Sequence, residues 1–344
     1  MGAQRSTLKQ LAAELDISVA TVSRALGGYE DISKKTRERV ALKAQEMGYV
    51  PNSAGRMLVS GRSGFVGLVV PIRGPNLVDS FLGEFVTGLC EGLKGHGSDL
   101  FLATALESQS ELSVLSHVVE SGRADGVVLN RVAEKDERVE YLLKRKFPFV
   151  THGRLLNADY DLNWLDTDGG AAFAEMFDML YDLGHRKFGL LTISDPMTFR
   201  HYREAGLRQA IEKKGDPEVT LTEIKTERFD TEGMRRACRN SLSATDRPTA
   251  YIALFDEIAL TLMKEAANLG LSIPRDLSVV GFDNVAASAY APPGLTTYDQ
   301  DIRGSAKQLT DMLMQVIVDQ PEEPLTRLVK PKLIRRASHG PAPS

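Results

Sequence analysis

Residues 7–28, TLKQLAAELDISVATVSRALGG, decide how the chain begins to fold. Thr7, followed three residues later by Gln10, fits a capping box, and Leu8, Leu11, Ala12 and Leu15 recur at helical spacing. A first helix is therefore expected from about 8 to 15. Asp16 and Ile17 make a tight turn. Ser18 can cap a second helix of about eight residues, with Val22, Ala25 and Leu26 as its buried stripe and Gly27-Gly28 as its stop. Ser33 then caps a longer helix that carries Val40, Ala44 and Met47 on one face and ends at Gly48. Three helices with a short turn between the first two make an all-α helix-turn-helix head.

Outward from residue 64 the pattern changes. Phe65-Val66-Gly67-Leu68-Val69-Val70-Pro71 reads as a buried strand, followed by a helical stretch from about 78 to 95. Apolar runs at 100–103, 126–129 and 147–151 repeat the theme, with helices between them. A second series starts at Phe188-Gly189-Leu190-Leu191-Thr192 and continues through 250–254 and 277–281. Two βαβ series imply two lobes, each with a parallel sheet, and one cleft where the carboxyl ends of the strands face each other. The turn-rich GDPEV at 215–219 and the tail GPAPS read as a loop and a loose end.

Bulk properties exclude several classes. The 344 residues suffice for two or three packed units. Cys90 and Cys238 stand far apart and outside any metal-binding spacing, so two buried, reduced thiols are expected rather than a disulfide framework or a zinc site. No apolar stretch suits a signal peptide or a membrane span, and a cytoplasmic location is expected. The net charge of −4 divides unevenly. Residues 1–63 hold ten Lys/Arg and six Asp/Glu, which leaves −8 on the remainder. A basic head on an acidic body is suited to approach a polyanion with the head alone.

The segment from Thr7 to Ser63 closely resembles the DNA-binding head of the lactose/galactose repressor (LacI/GalR) family, with ATVSRAL, GYVPN and Arg56-Met57-Leu58 as its signature. DLGHRKFGLL, Arg203-Glu204-Ala205-Gly206, IPRDLSVVGFDN and PGLTTYDQD resemble that family in its order. The resemblance implies a regulatory part shaped like a periplasmic sugar-binding protein, its chain crossing three times between lobes. It divides the chain into a head at 1–50, a hinge at 51–61 and an effector-binding and dimerisation part at 62–344. Within that part the N-lobe is placed at about 62–165 and 297–325, and the C-lobe at about 166–296 and 326–340.

Site residues follow from chemistry and resemblance together. Ser18, Thr21 and Ser23 suit phosphates, as short polar groups at a helix start, and equally serve as caps. Val19, Ala20 and Arg24 match the family's base-reading positions, where Arg24 could hold a guanine bidentately or simply be a solvated charge. Thr7 and Asn52 complete the DNA-facing set. Leu58 matches the leucine that the family inserts into the minor groove at the dyad, which requires a homodimer on a near-palindromic operator. Gly55, where the family has alanine, should weaken that hinge helix. For the effector, Arg203 and Asp283 match the family's binding pair. Phe255 stands in place of an asparagine and either stacks on a ring or packs in the core. Arg154 follows Gly153 where an acidic residue is usual, and Phe229 and Trp164 are further aromatic candidates. His152 is read as a structural histidine with its hydrogen bonds satisfied.

The expected function is a repressor of carbohydrate uptake or catabolism genes, released from its operator by a sugar, with no cofactor, metal or membrane involved. The alternative is a regulator that needs a nucleobase or sugar phosphate as corepressor. A solute-binding transport protein is opposed by the head. Catalysis has no motif to support it, and Asp166 with Asp168 is read as coincidence.

Overall fold

The computed structural model describes residues 6–27, 29, 31–49, 61–72, 79–156 and 160–343. Contacts divide the chain into two units, 1–64 and 65–344.

The small unit holds α1 (Leu8–Leu15), α2 (Val19–Leu26) and α3 (Lys34–Glu46). Its start signals work as expected. Thr7 and Gln10 satisfy each other's backbone amides, and Ser18 and Ser33 accept from Thr21 and Thr36. Asp16 turns the chain with φ 54, which an Asp tolerates better than most residues. Leu11, Ala12, Leu15, Val22, Ala25, Val40 and Ala44 make the buried core.

The large unit contains two parallel sheets. The first is built from β1 (Phe65–Pro71), β2 (Asp99–Ala105), β3 (Gly126–Asn130), β4 (Phe149–His152), β5 (Trp164–Thr167) and β11 (Thr326–Val329) in the order β11-β5-β4-β3-β1-β2. Val66, Leu68 and Val70 pack on one face, with α4 (Ser80–Gly95) and α12 (Ile302–Val318); Val69, Val127 and Leu129 pack on the other, with α5 (Glu111–Glu120) and α6 (Glu137–Arg145). Both faces are covered, which explains why these strands read as unbroken apolar runs. The second sheet, β7-β6-β8-β9, uses β6 (Lys187–Ile193), β7 (Thr220–Thr226), β8 (Ala250–Ala253) and β9 (Ser278–Val280). Its core joins α7 (Gly169–Asp182), α8 (Thr198–Lys214), α9 (Thr231–Ser243) and α10 (Asp256–Asn268).

Two expectations need correction. Residues 326–329, given to the C-lobe from the sequence, extend the first sheet by pairing with β5. Residues 297–299, given to the N-lobe, form β10 (Thr297–Asp299), which pairs antiparallel with β12 (Lys332–Ile334) beside the second sheet. The crossings therefore fall after Thr167, after Asp299 and between Val329 and Lys332. Three-residue and four-residue strands carry too little periodicity to be assigned to a lobe from sequence. The second correction concerns the thiols. Cys238 is buried, and burial pushes it up to about 12, whereas Cys90 is exposed because it lies off the buried Leu82-Phe85-Leu89-Leu93 stripe of α4.

Candidate functional site

In the head, Thr7, Ser18, Val19, Ala20 and Arg24 are exposed, and Thr21 and Ser23 are half-buried. Val22 and Ala25 point inward, so the opposite side of α2 offers Val19, Ala20 and Arg24 to solvent. Val19 is 39% exposed and stands outside the head's packed core. Arg24 is not idle: its guanidinium lies 2.5 Å from Asp31 and 5.5 Å from the Tyr29 ring. An exposed pair of this kind contributes at most about 1 kcal/mol, so a guanine or phosphate can displace it. Asn52, Gly55 and Leu58, and with them the hinge, lie outside the described residues.

In the large unit, a cleft with about 690 Å³ of empty space opens between the two sheets. From the first lobe it is lined by Phe81, Arg131, Val132, His152, Gly153, Asp166 and Thr167, most of which sit where strands β3, β4 and β5 end. From the second it receives Thr198, Phe199, Tyr202 and Arg203 at the start of α8, Arg228 after β7, Phe255 and Glu257 after β8, and Asp283 after β9. Thr198, Phe199, Tyr202 and Arg203 share one helix face by their spacing. Gln300 lines it from the crossing after β10.

The lobes touch around this cleft. The Thr198 amide donates to the Val132 carbonyl at 3.0 Å, the Glu134 amide to Pro196 at 2.8 Å, and the Tyr202 hydroxyl to Leu155 at 3.0 Å. Asp79, which caps α4, pairs with Arg131 of its own lobe and lies 3.5 Å from Arg228 of the other. Burial alone would raise the Asp79 carboxyl, but Arg131, the Leu82 amide and Arg228 together hold it below the usual carboxylate range. Burial, with the neighbouring Arg131 charge, brings Arg228 down to about 10.

Arg203 is buried, donates to the Leu254 carbonyl at 2.5 Å and lies 3.9 Å from Asp283. Its stem fills the place a side chain on Gly169 would need. Burial pushes Asp283 up to about 8 despite Arg203, and Gln300 donates to its carboxyl. Burial also raises Glu257, with help from Asp79. Asp256, next to it, is structural: it accepts from the Val285 amide and the Ser288 and Thr297 hydroxyls at 3.0, 2.7 and 2.6 Å.

The structure thus brings Arg203, Asp283 and Phe255 together on one side of the cleft. Phe255 packs in the second core and also lines the cleft. The other three candidates are placed elsewhere. Arg154 binds Asp166 at 2.8 Å and is sandwiched between the rings of Tyr202 (4.2 Å) and Trp164 (5.5 Å), so it braces the wall instead of lining it. Trp164 belongs to that brace. Phe229 is exposed, and its neighbour Arg228 takes the cleft position. His152, read as satisfied, lines the cleft with its Nε2 atom buried and without a hydrogen-bond partner among the described residues. Gly153 has φ 114, which explains the glycine that the sequence places before Arg154. Arg131, Thr167 and Gln300 went unnamed and Asp166 was read as coincidence; all four follow or end a strand, the one signal that could have found them.

Comparisons with known proteins agree with this architecture. Residues 7–52 match the description "Bacterial regulatory proteins, lacI family", and residues 177–339 match "Periplasmic binding protein-like domain". The HTH-type transcriptional regulator AglR of Rhizobium meliloti (strain 1021) is 32% identical over 98% of this chain and 95% of its own. The solved complex of the transcriptional regulator CelR with cellobiose is 26% identical, with a TM-score of 0.72 over 97% of this chain and 100% of that one. A Lac repressor dimer bound to operator and the anti-inducer ONPF is 21% identical, with a TM-score of 0.81 over 97% and 99%, a likeness of fold. No described helix is long and apolar enough to cross a membrane. With head, cleft and relatives in agreement, the chain belongs to the LacI family of bacterial transcription regulators.

Proposed function

We propose that this regulator is a cytoplasmic, homodimeric repressor that holds a near-palindromic operator and releases it when a neutral sugar fills the cleft. The observation that carries the effector class is the pairing of the arginines lining the cleft. Arg131 and Arg228 share Asp79, and Arg203 is held by the Leu254 carbonyl and faces Asp283. A phosphate would have to displace Asp79 to reach Arg131 and Arg228. Fixed polar groups among the aromatic faces of Phe81, Phe199, Tyr202 and Phe255 suit the hydroxyls and C–H faces of a sugar. The cellobiose bound to the related CelR supports that class.

In the head, Ser18, Thr21 and Ser23 with Thr7 and Asn52 would meet phosphates, Val19, Ala20 and Arg24 base edges, and Leu58 the minor groove. The test is operator capture and release. Duplexes selected from a random pool by the full chain should share a near-palindrome, and Leu58→Ala should weaken binding to them at unchanged sugar affinity. Addition of neutral mono- and disaccharides should release the selected DNA. Tighter binding on adding glucose 6-phosphate or adenine would replace this reading by corepression.

A further inference from the structure

We infer that His152 determines effector specificity by exchanging one hydrogen bond, through Nε2, with a hydroxyl of a neutral polyhydroxylated ligand. The inference deepens the sugar reading above and rests on it. His152 ends β4, and its ring lies 5.7 Å from the Phe81 ring and 5.2 Å from the Phe85 ring, both on α4. Apolar faces therefore fix the ring's orientation. Its Nε2 is buried, and of the buried side-chain polar atoms without a partner among the described residues it alone belongs to a residue lining the cleft. An unpaired buried polar atom costs about 1–3 kcal/mol, and native structures keep few of them.

The chemistry that completes this atom is narrow. A neutral imidazole presents at Nε2 either a lone pair or an N–H, depending on tautomer. A hydroxyl both donates and accepts, so it satisfies either one. An anionic oxygen satisfies only the N–H tautomer. An ammonium group only donates, and it would face the charges of Arg131 and Arg203, both of which act on His152. Phe81 lies beside the histidine and also lines the cleft, so a C–H face adjoining the hydroxyl finds an aromatic surface. A sugar ring carries both surfaces side by side.

The experiment uses the full chain. Thermal unfolding is followed with glucose, galactose, ribose, cellobiose, maltose, trehalose, melibiose and raffinose, and with glucose 6-phosphate and adenosine. The sugar giving the largest upward shift is titrated calorimetrically into wild type, His152→Phe and His152→Gln. Phenylalanine keeps the aromatic packing; glutamine restores a hydrogen-bonding group near Nε2. His152→Phe should bind roughly tenfold to a hundredfold more weakly, and His152→Gln should recover most of that loss. Monodeoxy forms of the sugar provide the check on wild-type protein, since one of them should lose as much as His152→Phe does. Binding of His152→Phe within about twofold of wild type, equal loss in both variants, or no sensitive deoxy form overturns the role of His152 and leaves the sugar reading standing. Stabilisation by glucose 6-phosphate or adenosine alone, or by none of the panel, overturns both.

Discussion

Replacing His152 by phenylalanine should change how the protein responds to acid, by an amount that can be worked out. Burial holds the imidazole down to about 4, with Arg203 and Arg131 acting in the same direction and Asp166 opposing. In the unfolded chain a histidine titrates near 6.5. Between those two values the unfolded state binds a proton that the folded state refuses, so stability falls as pH drops. The stabilisation is complete above about pH 6.5 and is lost progressively towards pH 4. At about 1.4 kcal/mol for each pH unit the loss amounts to roughly 3 kcal/mol. Phenylalanine cannot take up the proton, so the variant should be spared that share of the acid destabilisation. His185 and His339 are also lowered by burial, but both proteins share them and they cancel in the difference. The assay is urea unfolding followed by tryptophan fluorescence. Trp164 is the chain's one tryptophan and lies on β5, so the signal reports the large unit and not the head. Parallel stability curves for the two proteins from neutral pH to about pH 4, separated by a constant offset, would refute the buried neutral histidine.

Three further perturbations test other parts of the structure. Gly206→Ala would set a methyl 2.1 Å from the Gly170 carbonyl oxygen, where α8 crosses α7; because the obstacle is backbone, a loss of about 1–3 kcal/mol is expected, and an unchanged urea midpoint would refute the close crossing. Arg228→Gln removes the 3.5 Å contact with Asp79 that links the lobes; because burial disfavours the Arg228 charge and Arg131 still holds Asp79, the loss should not exceed about 1 kcal/mol and should be nearly the same at low and high salt, and a loss of about 3 kcal/mol or more would refute this. Ser18→Ala removes the cap of α2, worth about 1 kcal/mol, so amides of residues 19–26 should exchange roughly fivefold faster in hydrogen-exchange mass spectrometry, whereas unaltered exchange would mean that the cap is dispensable.

What the sequence revealed depended on how long each signal was. The head was legible almost to the residue, because Thr7-Gln10, Ser18 and Ser33 are local devices whose partners lie within three positions. The long buried strands of both sheets were legible as apolar runs. Short strands such as β10, β11 and β12 were not, and their pairing joins residues that are distant in sequence, as in Trp164 with Thr326. The same limit applied to the cleft. Arg203 and Asp283 could be named from their flanking motifs, but the fate of Arg154 depended on Asp166 and Tyr202, which reach it from separate elements. His152 was misjudged because satisfaction of a side chain is a property of the folded surroundings. Nothing in PFVTHGR shows that its ring would be wedged against Phe81 and Phe85 with Nε2 unpaired.

Under the proposed mechanism the contacts across the cleft also set how strong an effector must be. A ligand moves a two-state equilibrium only through its different affinity for the two states, and a swing from 1:99 to 99:1 needs about 5.5 kcal/mol. Contacts to one lobe alone contribute nothing to that difference, because they form whether the lobes are together or apart. The effective contacts are those that bridge His152, Asp166 or Arg131 on one wall to Arg203, Asp283 or Phe255 on the other. At about 1–3 kcal/mol for each hydrogen bond to a buried group, about two to six bridging contacts reach the required value. A sugar ring has hydroxyls on opposite edges and can span both walls, whereas a small one-sided ligand would bind without switching. The Thr198–Val132 and Glu134–Pro196 hydrogen bonds join the lobes directly and add to what the effector's bridging contacts supply. Weakening them through Pro196→Gly should therefore reduce operator release at saturating sugar more than it reduces sugar affinity for the second lobe. Release that stays complete in that variant would show that these contacts do not belong to the switch.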